Sequence, residues 1–442
     1  MVGFSPLVAV ATSDRTDGSL SDLEFEHILE SRFVGNSLNF PSNLNFVIGF
    51  ADSGSDVDLV AGTFAQTLGV SGSMLTGNGV PIGGVGGQVE ALVSYPLGFF
   101  AAGLSGVDGA GRVDLNAMVG HSNVCVLAAP PLDCGEGIEL TAVVGMPMLA
   151  FYHMVIRVDT PRRVRAGGRE YAGPDVQLLD FSTVPPEFDR SIAMEFGGLS
   201  PVVTTATYFP ELEDLETPLF PTLLSLSEGS IPTGGSFFAT LLVQEGEPGP
   251  LNPLQEMRVL VDTGAQSSIM SRAMAANLSL PREPDFTVNV CGVGGFVEDV
   301  PGYLIDYVRI NAFGGRLEYS EAPFVVLDLP SPEGGSLDGV LGMNFFWNRN
   351  VTFEPSLMLS PFLHVSVPLP IAFCDNDVDL DVDGLDVGYF LTCFSGPGVV
   401  NPGPECAHLD VAADGRIDLR DFARVQACFS GADMESHPAC AG

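Results

Sequence analysis

The sequence predicts a mainly β chain, bilobal and with pseudo-twofold symmetry, followed by a small α-helical module. Three observations carry that expectation. The 442 residues include 52 Gly and 33 Pro, and only 17% are charged, a composition that suits many short strands and turns. A long segment repeats itself at an interval of about 200 residues. After residue 370 the composition shifts to acidic loops that repeat at a shorter interval.

The first element of the long repeat is an apolar run, Phe46-Val47-Ile48, leading into Asp52-Ser53-Gly54. Alone this tripeptide reads as a turn, because Asp, Ser and Gly all favour turns. Its copy is Asp262-Thr263-Gly264, 210 positions on and also preceded by an apolar strand. Without gaps, DSGSDVDLVAGTFAQTLGV lies over DTGAQSSIMSRAMAANLSL, with Leu59 over Ile269, Ala65 over Ala275 and Leu68 over Leu278. A short helix is expected after each tripeptide.

The second element is a Gly-rich hairpin. VPIGGVGGQ at 80–88 answers VNVCGVGGF at 288–296, which pairs Gly84, Gly86 and Gly87 with Gly292, Gly294 and Gly295. The third is an apolar-apolar-Gly block: Val143-Val144-Gly145 answers Val340-Leu341-Gly342. The first copy is about a dozen residues longer between hairpin and third block. Three ordered blocks in one register indicate a duplicated β-rich domain. The expected divisions are 1–165 for the first lobe, 166–215 for a Pro-rich crossover, 216–370 for the second lobe and 371–442 for the tail.

Two carboxylates brought together cannot both ionise easily, so they share a proton as a coupled pair. One then takes a proton from water while the other protonates a carbonyl, which suits hydrolysis of an amide. Gly54 and Gly264 permit close backbone approach. The hydroxyls of Ser53 and Thr263 can lock the two turns together. The blocks Asp52-Ser53-Gly54-Ser55 and Asp262-Thr263-Gly264-Ala265, with their hairpins and Gly blocks, resemble the pepsin and retropepsin superfamily of aspartic proteases over roughly residues 20 to 365. Each half is more similar to a retropepsin-type lobe than to a pepsin lobe.

The resemblance implies a polypeptide substrate, a catalytic dyad of Asp52 and Asp262 around one water, no cofactor for catalysis, and two hairpins that act as flaps. Ser55 is expected to hydrogen-bond the Asp52 carboxylate, which Ala265 cannot do for Asp262. The chain departs from the pepsin pattern in lacking a flap Tyr in the first hairpin. It also has Thr141-Ala142 where the second half has Asp338-Gly339. The alternative reading is a non-catalytic, calcium-dependent binding or scaffold protein that keeps the lobes.

In the tail, FCDNDVDLDVDGLDVGYFLTCFSG and HLDVAADGRIDLRDFARVQACFSG repeat at an interval of 35. Asp375, Asp377, Asp379, Asp383 and Asp386 occupy positions 1, 3, 5, 9 and 12 of a loop entering a helix, and Asp410, Asp414, Asp418 and Asp421 follow the same spacing. Such hard oxygen donors suit calcium. Over 372–442 the tail resembles a type I dockerin, a pair of calcium loop-helix repeats. That implies bound Ca2+ and a cohesin-like or cell-surface partner. Leu380 stands where the turn Gly is usual in loop one, and Ala412 replaces the third-position ligand in loop two.

All 18 basic residues are Arg and the net charge is −37. This excess opposes binding to nucleic acid, whose phosphates require basic surface, and to anionic membranes. No apolar run reaches the roughly 18 to 20 residues of a membrane span. The chain lacks GxSxG, HExxH and P-loop motifs. None of the eight cysteines forms a CxxC pair. Their number favours disulfides and an extracellular or cell-surface location, although no export signal is visible at the N-terminus. The expected pairs are Cys393 with Cys406 and Cys428 with Cys440, with Cys125 and Cys134 closing a small loop. The sequons Asn277-Leu278-Ser279 and Asn350-Val351-Thr352 matter only in a glycosylating host.

Overall fold

The computed structural model describes residues 4–13, 46–95, 97–114, 117–133, 139–181, 183, 186, 188–197, 235–246, 248–250, 252–331, 335–355, 360–369, 372, 374–376, 382–394, 406, 409–411, 415–431 and 440. Two large sheets account for most of them, and the protein is mainly β.

The two sheets share one strand order. In the first it runs Leu75–Gly84, Gly87–Ser94, Leu127–Ala129, Leu59–Ala61, Ala142–Val144, Val47–Ala51, Leu7–Ser13, Leu97–Gly103, Val119–Val124. In the second it runs Phe286–Gly292, Gly295–Ile305, Ala322–Val326, Ser268–Met270, Gly339–Leu341, Gln255–Val261, Phe237–Gln244, Tyr307–Ile310, Leu317–Tyr319. Each strand of one has a counterpart at the same place in the other. The three repeated sequence blocks fall on corresponding strands, hairpins and turns. Apolar, β-branched runs such as Val47-Ile48 and Val259-Leu260-Val261 are buried on both faces, as interior strands require.

A third, five-stranded sheet joins the halves in the order Arg169–Asp180, Tyr152–Ala166, Val351–Glu354, Phe362–Val365, Arg190–Ala193. At its centre Met154 faces Phe353, Val155 faces Thr352 and Ile156 faces Val351. Val155 and Thr352 are 197 residues apart, the interval that also separates Gly145 from Gly342. The twofold relation between the halves therefore passes through the Val155–Thr352 pair. One continuous apolar cluster, including Val144, Met154, Ile156, Phe237, Val259, Leu341, Phe346 and Phe353, links the two large sheets through this third one.

The expected helix after Asp52-Ser53-Gly54 is short, Gly62–Thr67, and the one after Asp262-Thr263-Gly264 is Arg272–Leu278. Ser271 caps the second by accepting from the Met274 N–H. In the tail, Gly384–Cys393 and Leu419–Cys428 are helices, each opened by a capping box: Asp383 with Asp386, and Asp418 with Asp421. Phe390, Val425, Leu409 and Ile417 form a separate small core there.

Cys393–Cys406 and Cys428–Cys440 are disulfides. Cys125 is a free, buried thiol among apolar neighbours, so the expected 125–134 loop is not closed. Cys374 is also free, and Cys291 is disulfide-bonded. No helix among the described residues is long and apolar enough to cross a membrane.

Candidate active site

Asp52 follows the end of strand Val47–Ala51, and Asp262 follows the end of Gln255–Val261. Both turns are pinned from behind by the Gly blocks. The Asp52 N–H donates to the Val144 carbonyl at 2.9 Å and the Asp262 N–H to the Leu341 carbonyl at 3.1 Å. In return the Met146 N–H donates to Ser55 O, and the Met343 N–H to Ala265 O, each at 2.8 Å. Gly145 and Gly342 are needed where these segments cross. A Cβ at Gly145 would lie 2.2 Å from Val57 O, and one at Gly342 would lie 2.7 Å from Ser267 C.

The tips of the two turns meet. The Ser53 N–H donates to Thr263 Oγ1 at 3.0 Å, and the Thr263 N–H donates to Ser53 Oγ at 3.1 Å. Each hydroxyl also donates across the interface, Ser53 Oγ to Val261 O and Thr263 Oγ1 to Ala51 O, both at 2.9 Å. Ser53 and Thr263 are fully buried. This closed ring of four bonds sets the carboxyls of Asp52 and Asp262 side by side, each against the glycine of the opposite turn. A Cβ at Gly54 would stand 2.4 Å from Asp262 Cγ, and one at Gly264 would stand 2.6 Å from Asp52 Cγ. Only glycine leaves room for the opposing carboxylate.

Burial and the partner carboxyl push Asp52 well above the usual carboxylate range; burial raises Asp262. Two buried carboxyls so placed resist ionising together and favour sharing a proton. On the charged side, the Gly54 N–H donates to Asp52 Oδ1 at 2.8 Å, and the Ala265 N–H to Asp262 Oδ1 at 3.0 Å. Ser55 serves Asp52 through its backbone N–H and not its hydroxyl, which donates to Val57 O at 2.8 Å. The turn curls back on itself, and the nearest acceptor for that hydroxyl is backbone.

Both Gly-rich segments are hairpin tips. Gly84 pairs with Gly87 and Gly292 with Gly295, leaving the two-residue turns Val85-Gly86 and Val293-Gly294. The tips touch, with the Gly86 N–H donating to Val293 O at 3.1 Å. A Cβ at Gly86 would lie 2.3 Å from Gly294 C, and one at Gly294 would lie 2.5 Å from Gly87 N.

Two carboxyls beside the dyad escaped the sequence reading. Asp56 Oδ1 accepts from Ser236 Oγ of the other half at 2.8 Å, and burial pushes its carboxyl up to about 6. Its counterpart is Gln266, 210 residues on, whose Nε2 donates to Ser5 Oγ at 2.6 Å. Each half thus reaches across to the start of the other's first strand. Asp58 is buried, accepts the Gly145 N–H at 2.8 Å, and is pushed up to about 8 by burial. Its counterpart Ser268 accepts the Gly342 N–H at 2.9 Å. The signal for both was their place two and four residues after Gly54, but only tertiary packing decides their burial.

In the tail, Asp386 and Asp421 are buried. Asp386 accepts from the backbone of Asn376 at 2.5 Å and of Asp383 at 2.8 Å; Asp421 accepts from the Asp418 N–H at 2.9 Å. Asp410 accepts from the Gly415 N–H at 2.7 Å. Asp377, Asp379 and Asp414 lie outside the described residues. Among the described residues no three His, Cys, Asp or Glu side chains converge to hold a metal.

The model of a family described as aspartyl protease matches residues 248–345, which contain Asp262, the second hairpin and Gly342. No curated protein matches the chain. Residues 248–345 are thus an aspartyl-protease-like domain.

Proposed function

We propose that the chain is an aspartic endopeptidase of two lobes, with Asp52 and Asp262 as its dyad. The carrying observation is the facing of the two carboxyls, each against the opposite turn's glycine, enforced by the reciprocal Ser53–Thr263 bonds. Such a pair, sharing one proton, is the known arrangement of aspartic proteases. The ionised carboxyl takes a proton from a water held between them, and the protonated one gives its proton to the scissile carbonyl. The products are an acid and an amine, and the dyad regains its single proton. The paired hairpins are assigned as the flaps that would hold an extended polypeptide against this centre.

The tail is proposed to be a dockerin-like module that takes calcium. Support comes from its donor set, all carboxylate at the spacing of a calcium loop, and from the matching helix starts at Asp383 and Asp418. When bound, calcium would tie each loop to its helix through Asp386 and Asp421. A cohesin-like or cell-surface partner and an extracellular location follow from that reading. The scaffold alternative has no specific observation in its favour at the dyad. Hydrolysis of a denatured polypeptide by the parent, and its loss in the double variant D52N/D262N, tests the proposal; no hydrolysis by the parent would count against it.

A further inference from the structure

The two Gly blocks behind the dyad are held by different chemistry. In the second half, Ser268 Oγ accepts the Gly342 N–H at 2.9 Å and donates to Asn344 Oδ1 at 2.8 Å. The Ser268 N–H donates to the same Asn344 oxygen at 2.9 Å, and Asn344 Nδ2 donates to Pro323 O at 3.1 Å. Ser268 and Asn344 are both buried. In the first half, Asp58 stands 210 residues before Ser268, and Pro147 stands 197 residues before Asn344. Asp58 Oδ1 accepts the Gly145 N–H at 2.8 Å, and Asp58 and Pro147 are also buried.

The two differences compensate each other. A buried hydroxyl that accepts one bond still carries a proton that needs an acceptor, and Asn344 supplies it to Ser268. The proline side chain has no polar atom, so a serine in place of Asp58 would lose that acceptor. A carboxyl divides the roles between two oxygens: Oδ1 accepts the Gly145 N–H and needs no proton of its own.

This bond bears on Asp52 through the backbone. Val144, on one side of Gly145, accepts the Asp52 N–H at 2.9 Å; Met146, on the other side, donates to Ser55 O at 2.8 Å. Fixing Gly145 therefore fixes the Asp52 turn at two points. We infer that Asp58 is a positioning residue for Asp52, and that Asp58 with Pro147 stands in for the Ser268–Asn344 pair that positions Asp262. The effect on turnover rests on the proteolytic reading; the hold on Gly145 does not.

The test compares the parent with D58S, D58S/P147N, D58A and D58A/P147N as full chains, each well below its melting temperature. Hydrolysis of a denatured polypeptide gives kcat and KM, and amide hydrogen exchange is followed over residues 47–55 and 142–146. D58S and D58A should each lower kcat about tenfold or more with KM within about twofold, the mark of a misplaced reacting group. Exchange in both segments should rise about tenfold or more, because local opening sets the rate. Adding P147N should return D58S to within about threefold of the parent in both readouts, and should leave D58A as it was, since only a hydroxyl can use the added amide oxygen. A D58S protein that melts lower but keeps the parental kcat and exchange overturns the positioning role. Failure of P147N to rescue D58S, or equal rescue of D58A, overturns the stand-in. If exchange follows the expected pattern but no protein cleaves polypeptide, the hold on Gly145 stands and the proteolytic reading falls.

Discussion

Ser53 and Thr263 hold each other by two reciprocal bonds, each backbone N–H donating to the other's hydroxyl at 3.0 and 3.1 Å. Removing either hydroxyl strands one N–H and one carbonyl in a buried place, at a cost of about 1–3 kcal/mol for each unsatisfied group. Ser53→Ala and Thr263→Val should therefore each lower stability by about 2–4 kcal/mol in chemical unfolding. Thr263→Ser keeps the bonds and should stay within about 1 kcal/mol of the parent. Equal stability in all four proteins would show that the ring does not hold the halves together.

Gly54 and Gly264 each face the opposing carboxyl with no space for a methyl group. Gly54→Ala should push Asp262 away from Asp52 and reduce kcat by about a hundredfold or more, since a misplacement near 1 Å costs that much. Gly87→Ala, at a hairpin turn with φ +116° and open space around it, should instead act through backbone strain and lower stability. Steady-state kinetics beside thermal melting separates the two effects.

The pairing of the halves was legible because it is written three times, in the tripeptides, the Gly hairpins and the Gly blocks. Asp52 and Asp262 stand out only as mates of one another. Asp56 and Asp58 were not legible, since their mates are Gln266 and Ser268 and nothing local marks a buried carboxyl. The Ser55 hydroxyl was misassigned because the choice between Asp52 and Val57 O depends on how the turn curls. The five-stranded sheet was hidden as well. Its strands Tyr152–Ala166 and Arg169–Asp180 carry five Arg and two Pro and straddle the expected boundary at 165/166, and nothing local shows that Val155 lies against Thr352.

Asp58 sets a pH dependence. Its carboxyl is raised to about 8 in the fold from an ordinary value near 3.8, so the folded protein keeps a proton that the unfolded chain gives up. Its stability contribution is complete below about pH 4 and is lost as pH rises toward 8, a swing of several kcal/mol. Asp58→Asn keeps an oxygen for the Gly145 N–H and should flatten that decline, gaining on the parent as pH rises from 5 to 8. Unfolding midpoints across this range would show parallel curves for the two proteins if Asp58 is not protonated in the fold.

Calcium should stabilise the tail. For a site that binds only the folded form, free calcium at a thousandfold its Kd adds about 4 kcal/mol. Melting of the full chain with calcium and with a chelator should therefore differ, and Asp386→Asn should narrow the difference. Identical melting with and without chelator would remove the calcium-binding assignment.

One shared proton between Asp52 and Asp262 drives hydrolysis, and single-variant kinetics across pH is the decisive measurement. The parent should cleave measurably, with a rate that falls on either side of the pH range in which the pair holds one proton, and kcat should fall about a thousandfold or more in D52N and in D262N. The double variant should be no worse than either single one, because the two groups act as a unit. Cleavage by either single variant at the parental rate would contradict the shared-proton mechanism.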